Sequence, residues 1–218
     1  MKFWVGFFIC FLLTTAIGAK EDSFASRSSL DLRIARMVEA RRKGAAYSHF
    51  LNAVVLEQYG SLDRALHEYD RVLELEPSAT LIYRQRATLH LKMGAPEKAL
   101  ADAQSYVRAH PEDVESRLLL SNIHLLLGQR TASQLILEKI LDENPNHPEA
   151  LMTLATLIMS EKPEQAIKFF KQLIEIDPSL GEAHYNLGLI YQKLGDTEKS
   201  KEMFKKVTRL AGCSGRRS

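Results

Sequence analysis

Residues 181–214 read GEAHYNLGLIYQKLGDTEKSKEMFKKVTRLAGCS. Ala183, Leu187 and Tyr191 precede the turn Gly195-Asp196, and Ser200, Phe204 and Val207 follow it. Apolar and small residues at helical spacing on both sides of a glycine turn describe two short helices. Upstream the same design recurs. Pro77, Pro111, Pro145 and Pro178 are spaced 34, 34 and 33 residues apart. Gly60, Gly94 and Gly128 are 34 apart, and Gly195 follows 67 later. The small-residue pairs Ala53–Ala65, Ala87–Ala99, Ser121–Ser133 and Gly188–Ser200 are each 12 apart, whereas Ala155–Ala166 is 11. One copy has therefore lost a residue, in the turn Met159-Ser160-Glu161-Lys162. Five units result: 46–79, 80–113, 114–147, 148–180 and 181–214.

The punctuation agrees with this register. Gly60, Gly94, Gly128 and Gly195 suit the left-handed residue that ends a first helix. Pro77, Pro111, Pro145 and Pro178 end second helices, while Pro96, Pro148 and Pro163 open helices, where a missing N–H costs nothing. One such hairpin cannot bury its apolar face alone, and stacking does so.

Each unit resembles a tetratricopeptide repeat, and the resemblance covers 46–214. It implies an all-α fold, a right-handed α-solenoid of helix-turn-helix units, with the first helices lining a concave face. Positions 2, 5, 9, 12 and 13 of each unit then point inward. The candidate partner-binding residues are Tyr47, Phe50 and Val54, then Leu81 and Arg84, then Leu118, Asn122 and Leu125, then Met152 and Met159, then Tyr185 and Leu189. Phe50, Leu118, Leu125, Met152 and Tyr185 are expected to be partly exposed there. One subgroup of the family grips acidic C-termini with a carboxylate clamp of lysines, asparagines and an arginine. The three possible windows offer Phe50, Val54, Gln85, Glu115 and Leu119; Arg84, Thr88, Leu119, Glu149 and Thr153; and Leu118, Asn122, Thr153, Glu182 and Asn186. None matches the full set, so that activity is not carried over.

Ahead of the repeats, residues 1–19 read MKFWVGFFICFLLTTAIGA: one lysine, a charge-free apolar run from Phe3 to Leu13, then small and polar residues. That order is a secretory signal peptide, with a membrane anchor as the competing reading. The expected location is periplasmic or secreted, or membrane-anchored if the segment is uncut. Residues 20–45 are expected to form a linker and a capping helix: Leu30, Ile34, Met37 and Val38 share one face and would cover the first repeat. At the other end, Met203, Phe204, Val207 and Leu210 are expected to leave an apolar face bare before the tail 215–218. Cys213 lies beside it, so a homodimer through the C-terminal end, locked by a Cys213–Cys213 disulfide, is a candidate.

Catalytic chemistry finds no foothold. The chain lacks a phosphate-binding glycine loop, a His-Glu-x-x-His pair and a Gly-x-Ser-x-Gly elbow. The seven histidines never stand three or four apart, and the acidic turn Asp142–Asn146 lacks a calcium loop's spacing. His90 and His124 take the slot that Leu56 and Tyr191 fill elsewhere, which reads as packing. A formal net charge of +2 gives no field for nucleic acid. The expectation is a non-enzymatic interaction scaffold, adaptor or assembly factor without cofactor or metal. It would bind a protein or peptide partner in its groove and meet a membrane only through an uncut N-terminus.

Overall fold

The computed structural model describes the backbone of residues 3–214 and the side chains of 31–211. The signal-peptide reading rests on side chains outside the described residues, as do the Cys213 disulfide and the tail 215–218. Every regular element among the described residues is an α-helix. The chain divides into two compact units, up to Ile82 and from Tyr83.

The first unit is a hairpin of α1 (Phe3–Gln58) and α2 (Leu62–Leu75). Ala53 and Ala65, both fully buried, mark their close crossing, and the Phe50 ring tilts against Tyr69 at 6.2 Å. The buried Tyr69 hydroxyl donates to Glu57 at 2.6 Å. Burial first, then that carboxylate, pushes the phenol well above its usual range. The sequence expectation for 20–45 is corrected here: it is not a separate linker and cap. Helical backbone runs unbroken through Gly44, so Leu32, Ile34, Met37 and Val38 stay exposed instead of folding back over the repeat. A lone glycine inside a helix costs only about 1 kcal/mol relative to alanine, too little to force a break.

The second unit takes in most of α3 (Leu81–Lys92), then α4 (Pro96–Ala109), α5 (Val114–Leu126), α6 (Arg130–Glu143), α7 (Pro148–Ile158), α8 (Pro163–Ile176), α9 (Gly181–Lys193) and α10 (Thr197–Ser214). From α4 onward each helix packs on the next. Gly94 and Gly128 have φ of 71° and Gly195 80°, so three first helices end on a left-handed glycine. The shortened copy has no such residue: α7 ends at Met159, and the N–H groups of Glu161 and Lys162 both donate to the Ile158 carbonyl. The core runs between helices, with Leu137, Ile140, Leu151, Leu154, Phe170, Leu173, Leu187 and Ile190 in one cluster. The α9–α10 crossing leaves no room for a side chain: a Cβ on Gly188 would lie 2.9 Å from the Phe204 ring.

The C-terminal expectation also needs correction. Met203 is buried and Phe204, Val207 and Leu210 are half-buried, so none of these four side chains stands exposed. Met203 joins the main core cluster, and Phe204 meets Tyr185 at 5.8 Å between ring centres.

Candidate binding groove

Three successive first helices of the second unit, α5, α7 and α9, line one cleft of about 490 Å³ together with the start of α6. Half-buried Leu125 from α5 and Met152 from α7 supply its apolar surface, with buried Leu157 beneath them. Thr153 and Thr156, also on α7, add two hydroxyls, while Glu182 at the start of α9 and Arg130 at the start of α6 place opposite charges on the lining. The spacing explains the set: Met152 and Thr156 are four apart and share a helix face. Arg130 is held by its own bonds, donating to the Leu157 carbonyl at 2.5 Å and lying 3.7 Å from Glu161. Lys193 of α9 likewise donates to the Ser160 carbonyl at 3.1 Å.

Of the sequence-predicted residues, Leu125 and Met152 line this cleft. Met159 is half-buried against the same core, Asn122 and Leu189 are half-buried, and Tyr185 is exposed. Leu118 is a correction: it is only 4% exposed, inside the cluster with Leu151 and Leu154, and offers a partner nothing. Arg84 is engaged, 3.5 Å from Asp113 and with its guanidinium 5.7 Å above the Tyr106 ring. Tyr47, Phe50, Val54 and Leu81 belong to the first unit, where Tyr47 and Leu81 are exposed. Arg130 and Leu157 were not among the residues the sequence singled out, and Thr153 entered only as a position of the rejected clamp. Arg130 opens the second helix two residues after the turn glycine Gly128, and that place beside the turn was the available signal.

Two polar clusters stiffen the helices behind the groove. Asp113 caps α5, accepting from the Ser116 N–H at 3.3 Å and its hydroxyl at 2.8 Å. Burial opposes its ionisation, but those bonds, the Tyr106 hydroxyl and the Arg84 charge outweigh burial and hold the carboxyl below its ordinary range. Buried Arg117 of α5 forks onto Glu143 at the end of α6, at 3.0 and 2.5 Å, and lowers that carboxyl too. His90 is buried 3.6 Å from Asp102, and His124 is bonded to Gln129 at 2.6 Å, so both fill the core with a polar contact attached. Among the described residues no cluster of three or more metal-ligating side chains forms, and no helix is long and apolar enough to cross a membrane.

Profiles described as TPR repeat and tetratricopeptide repeat match residues 90–157, 160–195 and 181–212. The chain belongs to the tetratricopeptide-repeat family. Curated relatives include human DnaJ homolog subfamily C member 3, 26% identical over 70% of this chain and 34% of its own length. Another is TPR repeat-containing protein YpiA of Bacillus subtilis, 24% identical over 67% and 35%. The chain thus spans about a third of the length of these relatives. Among solved structures, MamA superposes with a TM-score of 0.70 at 19% identity, covering 75% of this chain and 96% of that one. YrrB, described as a TPR protein with an unusual peptide-binding site, gives 0.66 at 25% identity, covering 80% and 90%. The fold is the all-α, helix-turn-helix repeat architecture of these tetratricopeptide-repeat proteins.

Proposed function

We propose that this tetratricopeptide-repeat protein is a non-enzymatic adaptor or assembly factor that holds a peptide or helix of a partner protein in the groove of α5, α7 and α9. The observation that carries the reading is the open cleft of Leu125 and Met152, with two threonine hydroxyls and opposite charges from Arg130 and Glu182. An apolar surface with a few placed polar groups suits a peptide, whose side chains fill the floor while its backbone meets the hydroxyls. The peptide-binding site named for YrrB, a relative in fold at 25% identity, supports the same reading. We place the protein in the periplasm or secretory pathway on the strength of the charge-free apolar run Phe3–Leu13 behind Lys2. A membrane-tethered form of the same scaffold is the second reading, favoured by the helical backbone that runs unbroken from Phe3 to the first repeat within α1.

Selection of a displayed random-peptide library on the full chain tests the binding role. Enriched peptides should lose binding to Met152→Glu and Leu125→Asp, with the melting temperature of both variants close to wild type. Peptides that bind wild type and both variants equally would remove the groove from the account.

A further inference from the structure

The α1 hairpin shows an apolar surface that its successors keep covered. Val55 corresponds by register to Ile123, Leu157 and Ile190. Those three are 0%, 7% and 1% exposed, because α4, α6 and α8 pack against α5, α7 and α9. Val55 is 48% exposed and Leu51, one turn before it, 45%. Repeat architecture thus states what this surface is shaped to receive: another helix. The exposure also extends past the repeat. The Arg42–Glu76 ion pair at 3.2 Å marks where α2 ends alongside α1, and before it Leu32, Ile34, Met37 and Val38 are all exposed. At about 100° per residue, Ile34, Met37, Val38, Ala45, Ser48 and Val55 lie, with Arg41 and Asn52 among them, on the side of α1 away from Ala46, Phe50 and Ala53, which face α2, and Tyr59 follows in the turn that ends the helix. The strip is about 39 Å long.

We propose that a second copy of the chain covers this strip, with the two α1 helices antiparallel about a two-fold axis. The strip is self-complementary in that register. Residues whose numbers sum to 93 meet: Ile34 with Tyr59, Val38 with Val55, Arg41 with Asn52, and Ala45 with Ser48. Apolar residues meet apolar ones, the one charge meets an amide, and small residues sit at the axis, where the helices approach most closely. Gly44 adds to that central gap, and the Ser48 hydroxyl is turned back onto the Gly44 carbonyl at 3.1 Å. The pairing also resolves the missing cap. The segment with Ile34, Met37 and Val38 cannot return to its own repeat while the helix runs straight through Gly44, yet it reaches the equivalent surface of a second copy in trans. On a helix about 10 Å across, the strip covers about 400 Å² in plan on each copy, about half of what each partner of a standard interface buries, so the dimer is a weak, reversible one.

Site-specific crosslinking of the full chain in a mild non-ionic detergent tests this, with Cys10→Ser and Cys213→Ser as background. A mass-tagged Val38→Cys chain is mixed with a Val55→Cys chain and oxidised. The mixed disulfide is expected to form in preference to either homodimer, and sedimentation equilibrium is expected to show a dimer at tens of micromolar. Val55→Glu and Met37→Glu, both at exposed positions, should each raise the dissociation constant about tenfold or more with unchanged circular dichroism. A monomeric chain at those concentrations, Val38–Val38 disulfides in preference to mixed ones, or a dimer indifferent to both glutamates would overturn the proposal. So would association that disappears with Cys213→Ser alone, which would place the contact at the other end.

Discussion

Small buried residues decide how closely each hairpin closes. Three of the five paired positions are Ala–Ala (53 and 65, 87 and 99, 155 and 166), and Ala65, Ala99 and Ala166 are fully buried. In the third repeat the pair is Ser121–Ser133, and its two hydroxyls bond to each other at 2.8 Å with no exposure. Removing one oxygen strands the other, so Ser121→Ala should cost about 1–2 kcal/mol. The double variant Ser121→Ala/Ser133→Ala should recover most of that loss, because it reproduces the Ala–Ala pair of its neighbours. Urea unfolding of the four proteins in the cycle measures it, and additive losses would contradict the account. Leu118 and Met152 make a second comparison. Both occupy position 5 of their units, yet Leu118 is buried among Leu151 and Leu154 while Met152 lines the cleft. Leu118→Glu should unfold the protein or lower its stability by several kcal/mol, and Met152→Glu should leave stability within about 1 kcal/mol.

Between helices, the turns and end-to-end ion pairs set the geometry. Gly128 ends its first helix at φ 71°, where a side chain is strained but no neighbour would be struck. Gly128→Ala should therefore cost about 1–2 kcal/mol through backbone strain alone, measured as a shift in urea midpoint. The caps and forks at α5 and α6 add a pH dependence of known sign. Asp113 and Glu143 ionise more readily folded than unfolded, where their ordinary values are 3.8 and 4.5. Their contribution is fully present above those values and is lost as pH falls through the lower folded ones. Thermal melts between about pH 6 and about pH 2 should show a decline that Arg117→Met flattens, since Glu143 then loses the cation holding its pKa down.

Periodicity and punctuation carry a great deal of this structure. Glycines at φ near 71°, prolines at helix starts and the small pairs follow from local chemistry that a single unit contains. What the sequence left open depends on neighbours in space. Leu118 could not be told from Met152, because the size of the facing residues decides which position 5 is covered. Arg130 joins the cleft from the start of a second helix, outside the pattern of inward positions. The continuity of α1 through Gly44 and the half-burial of Phe204, Val207 and Leu210 on α10 are likewise outcomes of packing that no single segment encodes.

At the scale of the molecule, one strip on α1 and one cleft on α5, α7 and α9 divide the work between self-association and partner capture. Because the strip lies within the first unit and the cleft within the second, Val55→Glu should dissociate copies while leaving peptide affinity unchanged, and Met152→Glu should do the reverse. The most direct test of the groove replaces Met152 with a photo-crosslinking amino acid in the full chain and exposes it to a peptide selected on wild type. The same crosslinker at Lys139, exposed on α6 away from the cleft lining, serves as the control. Covalent capture at Met152, competed by free peptide and absent at Lys139, is the predicted result; equal capture at the two positions, or none at Met152 while the peptide still binds, would contradict it.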